Sequence, residues 1–128
     1  MGIRAQYHFR PTGDDILIWD VRKLVELAAD LPIIQVPLDA IAELDETYWF
    51  SPTGYQPTVR SVADHAALIN ACDLSFPILL CAEGRVMDGM HRVARSHLEG
   101  RATVAARRFA VTPPHDHINI APEDLSYD

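Results

Sequence analysis

Hydrophobic residues along the chain recur with two different spacings. Val21, Leu24 and Ala28 follow the period of an amphipathic helix. Pro32 ends that segment, because the residue before a proline avoids the helical region. Continuous apolar runs such as 78–81 instead predict short buried strands. The predicted strands are 16–19, 33–36, 78–81, 85–87 and 103–111, and the predicted helices are 21–30, 37–44, 61–71 and 90–99.

Polar residues and glycines mark where these segments begin and end. Asp20 is a candidate N-cap for the first helix. Ser61 and Asp64 form an S-x-x-D capping signature at the start of a later helix. Glu83-Gly84 predicts a hairpin turn. The segment 45–58 holds two prolines and four aromatic residues without a clear period, which predicts a loop, and long loops in compact domains are often functional.

The order of the elements predicts one small domain of mixed α/β (α+β) class, with a mixed sheet and helices packed on it. A length of 128 residues suits a single domain with one core. Hydrophobic residues make up 48% and charged residues 23% of the chain, as in ordinary globular proteins. The segment 110–128 has no regular pattern and is predicted to be an irregular tail.

The sequence predicts a cytoplasmic protein that does not enter a membrane. No apolar run approaches the ~20 residues needed to span a bilayer. The first 15 residues contain no apolar signal core, so secretion is not expected. Cys72 and Cys81 match no metal or redox spacing, and their apolar neighbours predict buried thiols in a reducing compartment.

Charge is distributed unevenly. The net charge is −7, which argues against a general nucleic-acid surface. Between Glu83 and Arg108, however, six arginines face three acids, a local excess of +3. Such a basic region fits a small anionic ligand better than a duplex, although ordinary surface arginines would give the same count.

The joint between a predicted strand and the last predicted helix carries the most specific chemistry. A helix N-terminus presents backbone N–H groups without intrahelical partners and a partial positive charge, which suits an anion. Gly89 lets a phosphate approach the backbone, Arg92 offers a planar fork of donors, and His91 can donate a hydrogen bond. Asp88 stands at the N-cap position, or holds Mg²⁺ beside a phosphate. A plain capping arrangement with solvated side chains is the alternative.

The segment 77–109 (PILLCAEGRVMDGMHRVARSHLEGRATVAARRF) resembles the ParB/sulfiredoxin superfamily, whose domains place a D-G-x-H-R turn between a strand and a helix. The segment 33–44 resembles the opening strand of those domains. The similarity covers about 33–109, leaving 1–32 as an N-terminal extension. It implies that the turn binds the phosphates of ATP or ADP, with CTP as a further candidate. The residues implied to bind the nucleotide are Asp88, Gly89, Met90, His91, Arg92 and, from the preceding helix, Arg60.

The chain departs from two branches of that superfamily. Sulfiredoxins carry their reactive cysteine where this chain has Met90, so sulfiredoxin activity is not expected. ParB proteins continue into a helix-turn-helix domain for which this chain leaves no room, so DNA segregation is not expected. The ADP-dependent free-serine kinases have a similar turn and a carboxylate base shortly after the first strand. Glu43, Asp45 and Glu46 stand in about that place, and solvated surface acids are the alternative.

The sequence allows several roles for two further groups of residues. Tyr48, Trp49, Phe50 and Tyr55 could stack on a base or cover a pocket, or equally belong to the core or to an oligomer contact. The pair His115 and His117 invites a metal interpretation with His8 or His65 as a third ligand, but a polar surface turn is the commoner outcome, and no metal site is predicted.

The sequence thus favours a nucleotide-phosphate-binding protein, with Mg²⁺ as a possible companion of the nucleotide. Its leading predicted activity is phosphoryl transfer to a small hydroxyl compound. The alternative is a non-catalytic module that binds a nucleotide or a protein partner, with a vestigial site. Nucleic acid is not an expected partner, and a homo-oligomer stays open.

Overall fold

The computed structural model describes residues 6–127. It contains seven strands and three α-helices over that range, with three short 3₁₀ turns. The strands are β1 (Tyr7–Thr12), β2 (Asp15–Asp20), β3 (Ile34–Pro37), β4 (Ile78–Leu80), β5 (Val86–Asp88), β6 (Thr103–Arg108) and β7 (His117–Ile118). The helices are α1 (Val21–Ala28), α2 (Val59–Ala71) and α3 (Met90–Leu98), and the 3₁₀ turns are Leu38–Ala40, Ala42–Asp45 and Pro122–Asp124.

A four-stranded central sheet, in the order β3-β6-β4-β5, organises the core. β4 runs parallel to β6, and the other neighbouring pairs are antiparallel. β4 is buried on both faces, as its unbroken apolar run predicts. Ile78 and Leu80 point into the cluster that includes Val93 of α3, whereas Leu79 packs on the opposite face with Leu24 of α1.

A smaller N-terminal sheet, in the order β1-β2-β7, stands beside the central sheet. β1 and β2 form an antiparallel hairpin, and β7 adds two residues to its other edge. β2 leads directly into α1, where Asp20 caps the helix by accepting a hydrogen bond from the Arg22 N–H at 3.0 Å. Asp116 accepts one from the Asp20 N–H at 2.8 Å, which ties the C-terminal segment to this junction.

The mixed α+β class is confirmed, and the predicted caps at Asp20 and the turn at Glu83-Gly84 are present. The prediction of one sheet was incomplete. The sequence does not predict β1, because Pro11 weakens the strand signal of 7–12, yet β1 lies at the edge of its sheet, where proline is tolerated. The predicted irregular tail contains β7, which is too short to show a period of its own.

Two predicted helical segments also differ. α2 begins at Val59 with Thr58 as its N-cap, and the Thr58 side chain accepts from the Ser61 N–H at 3.1 Å. Ser61 therefore lies inside the first turn and is not the cap. The segment 37–44 does not form the predicted α-helix. Pro37 is the last residue of β3, and the residues after it form the two 3₁₀ turns Leu38–Ala40 and Ala42–Asp45.

Within residues 6–127, no helix has both the length and the apolar character needed to cross a membrane. The first five residues, on which the expectation of no signal segment partly rests, lie outside the described residues. Cys81 is buried as predicted, whereas Cys72 is only partly covered, and both thiols are free.

Candidate functional site

A cleft of about 1340 Å³ lies between the N-terminal sheet, the loop after the second 3₁₀ turn and the start of β5. Its polar lining residues include His8 and Arg10 of β1, Glu43 and Glu46 of the 3₁₀ segment, and Arg85 before β5. Most of the remaining wall is aromatic or aliphatic. Binding clefts commonly combine such walls with a few polar groups, so this cleft is the first candidate for a ligand site.

The structure separates the three predicted catalytic acids. Glu43 is only 2% exposed, and its Oε2 accepts a hydrogen bond from the Val86 N–H at 2.5 Å. Among residues 6–127, its Oε1 has no hydrogen-bond partner. Glu46 is exposed and forms a paired contact with the Arg85 guanidinium, at 3.0 and 2.7 Å, which lowers the pKa of Glu46. Asp45 is exposed and has no ion pair among residues 6–127. Glu43 is therefore the only one of the three with an unpartnered buried oxygen.

Tyr48 is a largely buried residue whose hydroxyl is influenced by the charges of both Glu43 and Asp88. Burial raises the pKa of the Tyr48 hydroxyl to about 12, with the negative charges of Glu43 and Asp88 acting in the same direction. The hydroxyl therefore stays protonated at neutral pH and can donate a hydrogen bond. The Glu43 carboxylate is bonded to Val86 at the start of β5, and Asp88 at the end of β5 leads into the turn at Gly89. The two ends of this one strand therefore link the carboxylate and the turn.

The turn into α3 forms, but its cap differs from the predicted one. The N-cap is Gly89, with φ of 103° and no side-chain cap, so the prediction of Asp88 as the cap was wrong. A Cβ at Gly89 would lie 2.7 Å from Cγ2 of Ile78, too close for any other residue. Glycine is thus required here by backbone conformation and by packing against Ile78, whether or not a phosphate approaches.

Arg92 stabilises this turn through three hydrogen bonds. Its guanidinium donates to Asp88 Oδ2 at 2.9 Å and to the carbonyls of Pro77 and Phe76 at 2.7 and 3.1 Å. These bonds use three of the five N–H donors of the side chain, so two remain for a ligand. The same ion pair holds Asp88 in place. Without Asp88, the partly buried Arg92 would lack a counter-charge.

His91 belongs to an aromatic cluster that the sequence did not reveal as such. Its Nε2 lies 2.8 Å from Nδ1 of His65 on α2, so one ring donates and the other accepts. Both rings stack on Trp49, with centroid distances of 4.7 Å for His91 and 4.4 Å for His65. The two imidazoles are only 5.1 Å apart, which places them on the same face of the indole. Burial lowers the pKa of both histidines, so the pair is largely uncharged at neutral pH.

The other predicted binding residues are dispersed. Met90 is buried in the core and contributes to the turn only through its backbone. Arg60 is exposed near the start of α2 and lines a separate surface depression with Thr58 and Asp64. His117 contacts Tyr7, whereas His115 and His8 both contact Trp19, and among residues 6–127 no cluster of three metal-ligating side chains exists.

Mg²⁺ fits the turn only in a limited way. Asp88 Oδ2 is already bonded to Arg92, which leaves Oδ1 of that carboxylate for a metal. Mg²⁺ is commonly bound by one or two carboxylates together with substrate phosphates and waters. Asp88 can therefore serve as a single protein ligand if the phosphates supply the others.

No family model, no curated protein and no solved structure matches the chain significantly. The similarity of the Asp88–Arg92 turn to the ParB/sulfiredoxin superfamily therefore stays a prediction, and the site has to be interpreted from its own geometry.

Proposed function

We propose that the chain is a nucleotide-dependent phosphotransferase that acts on a hydroxyl compound bound in the cleft. The observation that carries the proposal is the buried Glu43 carboxylate with an unpartnered Oε1 beside the cleft. A buried acceptor without a donor is costly, so such an atom is typically completed by a ligand or water. A substrate hydroxyl that donates to Oε1 would complete it.

In the proposed reaction Glu43 is the general base. Its Oε1 accepts the hydroxyl proton while the hydroxyl oxygen forms a bond to the terminal phosphorus of the nucleotide. The bond between that phosphorus and its bridging oxygen breaks, and the bridging oxygen leaves with the electron pair on the shortened nucleotide. The hydrogen bond from the Val86 N–H keeps Glu43 in position for the transfer.

The start of α3 is the proposed phosphate position. Its first N–H groups are available by helix geometry, and Gly89 offers no side-chain cap to occupy them. The two uncommitted N–H groups of Arg92 add charge-assisted donors, and ATP, ADP or CTP all supply suitable phosphates. Mg²⁺, if it accompanies the nucleotide, would neutralise charge on the transferring group beside Asp88.

The alternative, a non-catalytic module, is favoured by one observation. Arg92 and His91 are already engaged by protein groups, as they would be in a turn that has become purely structural. Such a module would bind a nucleotide without consuming it, or would not bind one at all.

Nucleotide consumption in the presence of a panel of hydroxyl compounds separates the two functions. The wild type should consume ATP or ADP only when an acceptor is present. Glu43→Gln keeps the size of the side chain and should lower that rate about a hundredfold or more, as expected when a general base is removed. Asp39→Asn, an exposed acid on the preceding 3₁₀ turn, is the matched control and should behave like the wild type. Equal rates for Glu43→Gln and wild type would contradict the proposal.

A further inference from the structure

The N-terminal sheet lies outside the part of the chain that carries the D-G-x-H-R similarity, yet it forms one wall of the cleft. β1 contributes His8 and Arg10 to that wall, and the C-terminal segment 119–122 closes one end. The aromatic side chains around the cleft are Tyr7, Phe9, Tyr48, Trp49, Phe50 and Tyr55. At about 1340 Å³, the cleft is roomier than the ~300–1000 Å³ of common small-molecule sites, so it has space for a ligand that carries an aromatic ring.

Arg10 is the cation in this cleft without an anionic partner. Arg85 is neutralised by Glu46 and lies 3.6 Å from Glu43. Arg10, by contrast, makes no ion pair within residues 6–127; it reaches the Val86 carbonyl at 3.5 Å and lies over the Trp19 ring at 5.6 Å. A half-buried guanidinium with these weak contacts retains donors for an anion.

Two buried side-chain atoms of residues that line the cleft also lack hydrogen-bond partners within residues 6–127. They are Oε1 of Glu43 and Nε2 of His8, both from residues at least nine-tenths buried. Burial, together with the positive charges of Arg10 and Arg85, lowers the pKa of His8 to about 4, so its ring is neutral at pH 7. The cleft therefore offers an acceptor at Glu43, a neutral imidazole at His8 and a cation at Arg10.

We propose that the cleft binds an aryl hydroxy acid, with its hydroxyl on Glu43, its carboxylate on Arg10 and its ring against the aromatic wall. This inference deepens the proposed function, on which it rests for the fate of the hydroxyl. A carboxylate fits better than a phosphate, because Arg10, the one lining arginine without an ion pair among residues 6–127, balances a single negative charge. A dianion would therefore be left unbalanced beside Glu43.

Binding without any nucleotide tests the proposal separately from catalysis. The probes are 3-phenyllactate, 3-phenylpropanoate, which lacks the hydroxyl, and 3-phenyl-1,2-propanediol, which lacks the carboxylate. Amide resonances of residues 8–10 and 43–49 should shift saturably with phenyllactate at millimolar concentration. Each truncated probe should bind roughly tenfold more weakly, the usual order for losing one hydrogen bond that involves a charged group.

Variants assign the carboxylate to its partner. Arg10→Gln should weaken phenyllactate binding roughly tenfold and leave phenylpropanediol binding unchanged, and Arg10→Lys should restore part of the loss. Arg101→Gln removes an exposed arginine outside the cleft and should bind all probes like the wild type. A far-ultraviolet circular dichroism melt confirms that each variant is folded.

The proposal is overturned if phenyllactate shifts no cleft resonance, or if Arg10→Gln binds it as well as the wild type does. Because nucleotide is absent, these outcomes are independent of the phosphate position. A protein that binds phenyllactate but never consumes nucleotide would refute the phosphotransferase and leave the acid-binding cleft standing.

Discussion

His8 should make the folded state markedly less stable below neutral pH. Its ring is buried beside Trp19, and its pKa is lowered from 6.5 to about 4 by burial first and then by the charges of Arg10 and Arg85. The unfolded chain therefore binds a proton at His8 near pH 6.5, whereas the folded chain binds it only near pH 4. The stability contributed by neutral His8 is complete above pH 6.5 and is lost as the pH falls toward 4.

The size of this effect follows from the pKa difference. Complete loss corresponds to about 3 kcal/mol, and between pH 7 and pH 5 the loss is about 2 kcal/mol. Urea denaturation of the wild type and of His8→Phe at the two pH values measures it. The wild type should lose about 2 kcal/mol more than the variant, since the contributions of His65 and His91 are common to both and cancel.

Phe9→Leu is the control for this prediction, because it changes the neighbouring residue of β1 without removing a titrating group. It should keep the full pH dependence of the wild type. If the wild type and His8→Phe lose the same free energy of unfolding between pH 7 and pH 5, the assignment of His8 as a buried neutral histidine is refuted.

Three further changes test the turn into α3 and its surroundings. Gly89→Ala should lower the free energy of unfolding by about 2 kcal/mol or more, because φ is 103° and the new Cβ would meet Ile78; chemical denaturation measures this, and an unchanged midpoint would contradict it. Arg92→Ala should lower the melting temperature far more than Arg101→Ala, since only Arg92 donates to two backbone carbonyls and pairs with a partly buried acid; equal melting temperatures would show that these contacts contribute nothing to stability. His91→Phe should change the emission of the Trp49 indole, because His91 stacks on that ring at 4.7 Å, and unaltered emission would argue against the stack.

Much of the central sheet could be predicted from the sequence, because its signals are local. The buried run of β4, the turn at Gly84 and the helix after Gly89 each depend on residues within a few positions of one another. The N-terminal sheet could not be predicted in full, since β7 is recognisable only through its pairing with β2, about a hundred residues earlier in the chain.

The residues of the candidate site, too, are predictable from the sequence only where the signal is local. The sequence predicts the acids at 43–46 as a group, but only burial and the contact with Val86 distinguish Glu43 from its neighbours. The pairing of His91 with His65 joins residues 26 positions apart, and the contact of Arg10 with the Val86 carbonyl joins residues 76 positions apart. The sequence signals for the cleft are the acids at 43–46 and the aromatic residues at 48–55, for which a pocket-covering role is one of several open possibilities.

The turn at Gly89 is tested most directly by the amide resonances of Gly89, Met90 and His91 during titration with ATP, ADP and CTP, each with and without Mg²⁺. At least one of these nucleotides should shift the three resonances saturably, and the amides of α1 should stay in place. If no nucleotide moves them, the start of α3 does not bind phosphate and the proposed phosphoryl transfer is contradicted.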